Sequence, residues 1–410
     1  MSAIDVVVGR QPVFDRDLVV VGYELLFRSV GGPGDAAGEV DRDLMTSWVL
    51  YSSMSIGLDR LCGDKTVFCN ADRGLLVGTH PLILPAERTI IEINESVATD
   101  PEVVTGCRRL YEEGYLLALD NYTGLAGTEP LLELASLVKI DLQRVPQENL
   151  AALMVQARQA GVLLVAERIE TSEQLHYCKA LGFDYFQGYL LSRPRNVPGR
   201  ALAVFNHERV EEAAALLDTG GDLEALEEIV RTEPALAYQL FRLASASSAD
   251  APRRGVRGVH DALLYVGTRA LQKWVHVLVG ARGSAASEDD IVATLTRARM
   301  CELLVGARDP RLADRAYTAG LISCFGALLG ISIEEVLLTV ILDPEIHRAV
   351  LLDATPLGRI LRDVIDYQTG NLDRAVRSKT DIKTLHAASA AALRWALAHT
   401  TRAEEEKLAV

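Results

Sequence analysis

Residues 22–28 read Gly-Tyr-Glu-Leu-Leu-Phe-Arg, an apolar run that carries one acidic side chain, Glu24, and ends at Arg28. Similar short β-rich runs, each closing on an acidic or amide residue, recur as far as residue 167. The later residues of this kind are Asn70, Glu92, Asp120, Asp141 and Glu167. Side chains at the C-terminal ends of barrel strands converge on one mouth. We therefore expect these oxygen-bearing side chains to share one site.

The first half of the chain, from residue 5 to about 193, alternates β-rich runs with stretches of amphipathic helical period, as parallel βα units do. Strands are predicted at residues 6–8, 19–27, 66–70, 89–93, 116–120, 137–140, 163–166 and 185–190. The helix after Pro146 is expected to bury Leu150, Leu153, Met154 and Ala157 and to end at Gly161. Seven or eight such units predict a compact TIM-like (β/α) barrel over residues 1–194.

The second half has a different pattern. Residues 192–199 are rich in Pro, Gly and Arg, which indicates a linker. Beyond them the apolar residues follow a helical period almost throughout, as in the stripe Leu223, Leu226, Ile229 and Val230. The expected fold class is therefore α/β plus all-α, with an all-helical domain over residues 195–402 and a C-terminal tail over residues 403–410.

Composition limits the classes of partner. The 410 residues carry a net charge of −14 and a pI near 5.1, which argues against a protein that coats a nucleic acid duplex. A small anionic ligand held by one or two basic residues remains compatible. The six cysteines form no CxxC pair, and no apolar stretch reaches the length of a membrane span. A cytoplasmic protein without membrane contact is the expectation.

The strand-end residues also suggest a chemistry. Carboxylate and amide oxygens around one mouth are the ligands that Mg²⁺ and Mn²⁺ prefer, and such ions favour phosphodiester hydrolysis. Lys139 would lie against the attacking water or a phosphate oxygen, Glu167 would orient or deprotonate that water, and Arg28 would bind a phosphate through its fork. Taken singly, each of these residues could equally be a strand-end charge facing solvent; together with Gln187 they form a pattern.

The order of these motifs resembles that of EAL domains, which hydrolyse or sense cyclic di-GMP. Residues 24–28 look like the signature E-A-L-x-R, with Leu25 in place of Ala. Further matches are Asn70 on a strand Asn, residues 92–95 on E-x-T-E, 120–122 on D-D-F, 139–141 on K-I-D, 166–171 on A-E-G-V-E-T and 187–189 on Q-G-Y. The resemblance covers residues 5 to about 194.

This resemblance implies roles for individual residues. Glu24, Asn70, Glu92 and Asp120 would be the ligands of Mg²⁺ or Mn²⁺. Lys139 and Glu167 would serve the attacking water, and Glu95 would steady the loop after Asp120. Arg28 and Gln187 are the expected ligand-binding residues.

Several positions depart from the EAL pattern. Asn121 stands where active members usually carry a second Asp that helps to bind a second metal ion. Arg168 replaces the Gly that normally follows the catalytic Glu, so a bulky cation is expected near the metal mouth. Residues 29–38 replace a segment that lines the base pocket, and the loop after Asp120 has its glycines displaced. These changes predict a degenerate site with a weakened hold on its substrate.

The helical half resembles HDOD domains, relatives of the HD hydrolases without the metal-binding His-Asp pair. Residues 233–240 match the motif D-P-x-L-x-x-x-L, and residues 259–267 match A-I-x-x-L-G. Ser323 and Cys324 stand where an active relative has His and Asp, so no metal cofactor is expected here. The dipeptide His260-Asp261 lies in the wrong helix for a metal site, and we expect Asp261 to cap a helix N-terminus.

Two functions compete. The first is a signalling adaptor of the cyclic di-GMP system, in which the degenerate barrel senses a ligand and the HDOD domain binds protein partners. The second is a working metal-dependent cyclic di-GMP phosphodiesterase. A scaffold without a ligand gives no reason to keep the site residues together. EAL barrels often pair through the loop that follows Asp120, so a homodimer is also compatible with the resemblance.

Overall fold

The computed structural model describes residues 3–28, 42–79, 82–202, 204, 206–246, 255–280, 287–306, 309–371 and 380–400. They form two compact units. One contains residues 5–199, and the other contains the described residues after 199 together with Ala3 and Ile4. Residues 29–38, which stand where EAL domains have a pocket-lining segment, and the expected tail 403–410 lie outside the described residues. The domain boundary at residues 194 and 195 remains a prediction.

The first unit is a closed eight-stranded barrel, which confirms the predicted fold. The strands in chain order are β1 Ala3–Phe14, β2 Val20–Leu26, β3 Thr66–Ala71, β4 Thr89–Asn94, β5 Leu116–Asp120, β6 Leu137–Asp141, β7 Leu163–Glu167 and β8 Tyr185–Phe186. Strands β2 to β8 are parallel in sequence order, and β1 closes the ring by pairing antiparallel with both β8 and β2. The C-terminal ends of the parallel strands therefore share one face of the barrel.

Helices fill the connections between these strands. They are α1 Arg42–Ile56, α2 Leu58–Cys62, α3 Arg73–Val77, α4 Pro101–Glu112, α5 Glu129–Leu132, α6 Gln147–Gln159 and α7 Ser172–Leu181, with short 3₁₀ helices at Ala86–Arg88 and Glu95–Val97. Pro146 precedes α6, and Leu150, Leu153, Met154 and Ala157 are its buried residues, as the sequence pattern predicts. Inside the barrel, Val13, Phe68, Ile90, Ala118, Leu137 and Val165 form one apolar cluster.

Two expectations about this unit were wrong in detail. The predicted linker contains a ninth strand, β9 Arg195–Leu202, which extends the sheet beyond β1. Pro198 is tolerated there because β9 is an edge strand, where a missing N–H costs no ladder bond. The predicted strand 185–190 ends at Phe186. A Cβ atom on Gly188 would lie 2.2 Å from Ile169 O, so the chain makes a close backbone crossing there instead of continuing the strand.

The second unit is helical apart from part of β9. Its helices are α8 His207–Asp218, α9 Leu223–Thr232, α10 Pro234–Ala246, α11 Val259–Val266, α12 Thr268–Gly280, α13 Glu288–Val305, α14 Pro310–Leu329, α15 Ile333–Leu337, α16 Pro344–Val350, α17 Pro356–Gln368 and α18 Ile382–Thr400. Gly267, whose φ of 77° favours glycine, separates α11 from α12. Among the described residues, no helix combines the length and apolar character that a membrane crossing requires.

Candidate functional site

The ammonium group of Lys139 lies at the centre of the strand-end side chains. Its Nζ atom is 2.6 Å from Glu92 Oε1, 2.8 Å from Glu167 Oε1, 3.4 Å from Glu24 Oε2 and 3.9 Å from Asp120 Oδ1. Only 1% of the Lys139 side chain is exposed. One buried cation is thus shared by four carboxylates, and we call these five residues the Lys139 cluster.

The strand register brings these residues together. Asn70 is paired with Glu92 across β3 and β4, and Asp141 is paired with Glu167 across β6 and β7. Parallel neighbours keep matching positions at one level of the barrel, so residues far apart in sequence meet at its C-terminal face. The sequence predicted this convergence for Glu24, Asn70, Glu92, Asp120 and Glu167.

Hydrogen bonds fix the Glu24 carboxylate. Gln187 Nε2 donates to its Oε2 atom at 2.7 Å, and Asn70 Nδ2 donates to its Oε1 atom at 2.9 Å. Burial alone would raise the pKa of Glu24, but the charge of Lys139 and these two amide bonds lower it below its ordinary value. Glu24 is therefore held as a carboxylate, with its oxygens aimed into the barrel mouth.

The acidic groups of the Lys139 cluster outnumber its one cation. Burial raises the pKa of Glu92 well above its ordinary value, and the nearby Glu24 charge adds to the rise. Burial also raises the pKa of Glu167 to about 7, although Lys139 opposes it. Burial favours the neutral form of Lys139, but its carboxylate neighbours, Glu167 foremost, raise the pKa of the ammonium well above its ordinary value. One positive charge does not balance the four acidic groups.

A divalent cation would fit this donor set. Neither oxygen of Glu92 makes a hydrogen bond of ordinary geometry with the described residues, although Oε1 is in ion-pair contact with Lys139. A buried, unsatisfied carboxylate is costly, and a hard cation would satisfy it. Within the described ranges, no three Asp, Glu, His or Cys side chains are already arranged around one point as metal ligands. The carboxylates would therefore have to turn from Lys139 to hold an ion.

Asn121 directly follows Asp120 and contacts it. Its Nδ2 atom donates to Asp120 Oδ2 at 2.6 Å, so the amide uses an oxygen that a cation would otherwise contact. Its φ of 56° lies in the left-handed region, where Asn is among the better tolerated residues. The peptide N–H of Tyr122 then donates to Lys139 O at 3.0 Å. Asn121 is therefore held close to the Lys139 cluster.

The loop after Asp120 is tied to the Glu95 carboxylate. One oxygen accepts from the Thr123 N–H at 2.9 Å and from the Thr123 hydroxyl at 2.6 Å. The other accepts from the N–H groups of Gly124 at 3.1 Å and Leu125 at 2.9 Å. A single buried side chain thus orders three consecutive residues of this loop.

A cavity of about 470 Å³ opens at this face of the barrel. Of the predicted site residues, Glu24, Arg28, Asp120, Asn121, Lys139, Glu167, Arg168 and Gln187 line it. Seven other lining residues were not predicted as site residues, namely Gln11, Leu26, Gln143, Glu170, Gly188, Tyr189 and Pro194. Gln143 and Glu170 come two and three residues after the strand-end residues Asp141 and Glu167, which is a signal that could have found them.

Asp141 does not join the Lys139 cluster, contrary to the expectation of one shared site. Its buried carboxylate pairs with Arg168, whose Nε atom is 3.1 Å from Oδ2, and with Arg144, whose Nε atom is 3.5 Å from the same oxygen. The Gln143 N–H donates to Asp141 Oδ1 at 2.8 Å. Two arginines beside this strand end therefore take the carboxylate away from Lys139.

In the helical unit, the residues that the sequence analysis compared with metal-binding motifs make ordinary structural contacts. The Ser323 hydroxyl and the buried Cys324 thiol both donate within α14 to Gly320 O. Gly258, not Asp261, is the N-cap of α11, which corrects the expected cap. Asp261 instead accepts from the Arg257 N–H at 3.1 Å, and His260 contacts Glu227.

Comparisons with known proteins match both halves of the chain. The model of the EAL domain matches residues 75–194, and the model of the HDOD domain matches residues 208–345. The chain is 26% identical over 377 residues to Uncharacterized protein YuxH of Bacillus subtilis, covering 90% of this chain and 92% of that protein. It is 28% identical over 361 residues to Cyclic di-GMP phosphodiesterase CdgJ of Vibrio cholerae, covering 86% and 83% respectively.

Solved structures are also similar to part of this chain. The Klebsiella pneumoniae protein BlrP1, in its manganese and cy-diGMP complex at pH 9.0, is 22% identical to this chain. The similarity covers 49% of this chain and 62% of that one, with a TM-score of 0.38.

Proposed function

We infer that this chain, in which an EAL domain is followed by an HDOD domain, is a signal-transduction protein of the cyclic di-GMP system. Its barrel binds cyclic di-GMP together with Mg²⁺ or Mn²⁺, and its helical half binds protein partners. The observation that carries this proposal is the Lys139 cluster, in which four carboxylates surround one buried ammonium at the floor of the cavity.

The cavity suits an anionic ligand with aromatic parts once a cation is bound. Arg28 lies at its wall, oriented by bonds from Nε to Asn196 Oδ1 at 2.9 Å and from Nη1 to Phe27 O at 2.7 Å. The Tyr189 ring is 58% exposed at the same cavity, with the Arg193 guanidinium 5.6 Å from its centroid. A guanidinium for a phosphate and an exposed ring for a base are the groups that a nucleotide requires.

The residues that would hold the ion are Glu24, Asn70, Glu92 and Asp120. When bound, Mg²⁺ or Mn²⁺ supplies positive charge at the phosphate and a more acidic water molecule. Lys139 keeps the carboxylates together and would lie against the attacking water. Glu167 would accept a proton, a role compatible with its pKa of about 7.

Sensing is the preferred reading because of Asn121. Its amide donates to Asp120 Oδ2, so it competes for an oxygen of the ligand set instead of adding a carboxylate. Binding of one ion and the nucleotide remains chemically reasonable, but charge stabilisation for turnover is reduced.

A second candidate, a slow cyclic di-GMP phosphodiesterase, is favoured by a separate observation. Glu167 has a pKa of about 7 and lies 2.8 Å from Lys139 Nζ, so it could serve as a base at neutral pH. In that reaction, water would attack phosphorus, one P–O ester bond would break, and the departing oxygen would take up a proton. The product would be the linear dinucleotide.

The helical half contributes by binding, since Ser323 and Cys324 offer no His-Asp metal pair. The proposal includes protein partners of this half and a homodimer through the loop after Asp120. All six cysteines are buried free thiols, which is compatible with a reducing cytoplasm.

Calorimetric titration of the full chain with cyclic di-GMP in Ca²⁺, followed by a hydrolysis assay in Mn²⁺, tests the proposal. We expect saturable binding with little or no turnover, and loss of binding in Glu24→Gln. The exposed Glu112, on α4, provides the control variant Glu112→Gln, which should bind as the native chain does. Turnover at rates typical of enzymes would favour the phosphodiesterase, and no binding would refute both candidates.

A further inference from the structure

Arg168 has an unusual backbone conformation beside the Lys139 cluster. Within the described ranges, only four residues other than glycine have a positive φ, and two of these, Asn121 at 56° and Arg168 at 55°, line the cavity. Each directly follows a strand-end carboxylate, Asp120 or Glu167. Such conformations cost energy in residues with a Cβ atom and concentrate at functional sites. Arg168 is thus a candidate for a functional role.

The guanidinium group of Arg168 is fixed on one side by acceptors. Its Nε atom is 3.1 Å from the buried Asp141 Oδ2, and its Nη1 atom donates to Gln143 Oε1 at 3.2 Å. Gln143 is itself oriented, because its Nε2 atom donates to Glu170 Oε1 at 2.8 Å. Among the described residues, Nη2 of Arg168 has no hydrogen-bond partner, and 56% of the side chain is exposed. The fork is therefore held in place with donor capacity left over.

The cavity has few cations available to an anionic ligand. Of the three basic residues that line it, Lys139 is buried and surrounded by carboxylates, which leaves Arg28 and Arg168. Arg28 already donates hydrogen bonds from Nε to Asn196 Oδ1 and from Nη1 to Phe27 O. Arg168 is the other guanidinium placed to meet a ligand that enters this mouth.

We propose that Arg168 is a phosphate-binding residue of this site. Its guanidinium group, at the rim of the cavity, binds a non-bridging phosphate oxygen of the cyclic dinucleotide, whereas the carboxylates lie at the floor of the cavity. The proposal rests on the proposed function, since it names a further residue of the same site. A planar guanidinium restrained along one edge loses little freedom when its other donors meet phosphate oxygens. It replaces the expectation that Arg168 is only an obstacle at the mouth.

Arg144 offers a matched control for Arg168. Its Nε atom is 3.5 Å from the same Asp141 oxygen, and 58% of its side chain is exposed, yet it does not line the cavity. Titration of the full chain with cyclic di-GMP in Ca²⁺ should give a Kd about tenfold or more higher for Arg168→Gln, as expected for a lost charged hydrogen bond. Arg144→Gln should change the Kd by less than about twofold, in keeping with an exposed ion pair.

Two further substitutions distinguish phosphate binding from obstruction. Arg168→Gly removes the side chain and relieves the steric cost of the positive φ. If the Arg168 side chain obstructs the cavity, this variant should bind cyclic di-GMP more tightly. If the side chain binds phosphate, the variant should bind more weakly. Arg168→Lys keeps the charge without the fork and should lie between the native chain and Arg168→Gln. Unfolding midpoints of the ligand-free variants show that each is folded.

The outcomes separate this inference from the function it rests on. Native binding that is unchanged in Arg168→Gln, or weakened equally in Arg144→Gln, would overturn the role of Arg168 and leave the cyclic di-GMP site standing. Tighter binding in Arg168→Gly would also overturn it. Absence of binding by the native chain would refute the proposed function and this inference together.

Discussion

At the scale of the residue, the central feature of the barrel is an imbalance of buried charge. Four carboxylates share the one ammonium group of Lys139, and Glu92 lies deepest, with none of its side chain exposed. Burying acidic groups without matching cations is unfavourable, and it shows as the raised pKa of Glu92. The stability of this site should therefore change when a cation is added or when a single carboxylate is replaced by a neutral side chain.

Replacement of Glu92 by Gln should reveal a bound cation. Because burial raises the pKa of Glu92, its ionised form destabilises the fold, and Glu92→Gln should cost less than about 1 kcal/mol of unfolding free energy in EDTA. In Mn²⁺ the native chain should gain stability that the variant lacks, since a ligand that binds only the native state stabilises it. Thermal unfolding in both buffers measures this. Equal shifts in the two buffers would indicate that no ion binds there.

Asn121 should set the limit on catalysis. Asn121→Asp adds a carboxylate beside Asp120 and removes the amide that donates to its Oδ2 atom, so hydrolysis of cyclic di-GMP in Mn²⁺ should rise by about tenfold or more. Asp also tolerates the left-handed φ of this position. The exposed Asn149, on α6, gives the control Asn149→Asp, which should not change the rate. A folded Asn121→Asp variant with no gain would place the defect elsewhere in the site.

At the scale of the element, one arginine joins three helices of the helical unit. Arg231 of α9 contacts Glu302 of α13 at 2.8 Å and Asp314 of α14 at 2.9 Å. Tyr317 of α14 donates to Arg231 O at 2.6 Å, and its ring lies 3.8 Å from the guanidinium carbon. The arrangement satisfies a largely buried guanidinium, so these side chains specify how the three helices pack.

The pH dependence of stability should report on Asp314. Burial raises its pKa to about 6, although Arg231 opposes the rise. Between about pH 4 and pH 6 the folded state therefore holds more protons than the unfolded state, and this group makes stability fall as pH rises. Asp314→Asn should lack this contribution. The difference in unfolding free energy between the variant and the native chain should therefore change by about 2 kcal/mol between pH 4 and pH 7.

Denaturant unfolding at several pH values measures this effect. The exposed Asp353 gives the control Asp353→Asn, which should keep the native pH profile. A profile of Asp314→Asn that is parallel to the native one would contradict the assignment to Asp314.

At the scale of the whole molecule, the chain divides into two compact units, each with its own buried residues. The barrel unit carries the Lys139 cluster and the cavity beside it, whereas Ser323 and Cys324 of the helical unit make ordinary contacts within α14. We therefore expect chemistry or ligand binding in one unit and protein contacts in the other.

Residues 200–402 expressed alone should test this division. We expect the fragment to be folded and helical by circular dichroism, to contain no stoichiometric metal, and to bind protein partners of the full chain in a pull-down. The barrel fragment, residues 1–199, serves as the comparison for partner binding. Tightly held Fe, Mn or Zn in the helical fragment would overturn the proposed division of labour.

The sequence by itself determined the fold class and the residues that meet at the barrel mouth. Apolar runs of β type alternating with amphipathic stretches predict a parallel barrel, and strand-end positions predict the convergence of Glu24, Glu92 and Glu167, because strand geometry and register follow from local pattern. The resemblance to EAL and HDOD domains also followed from ordered motifs alone. These predictions needed no knowledge of which side chains are in contact in the folded chain.

Tertiary structure decided what local pattern does not encode. The pairing of Asp141 with Arg168 and Arg144, in place of the Lys139 cluster, depends on which neighbours flank a strand end in space. Likewise β9 forms from a Pro- and Gly-rich segment and lies next to β1 in the sheet, which composition does not reveal. Sequence thus sets which groups reach the mouth, whereas three-dimensional packing sets how their charges are shared.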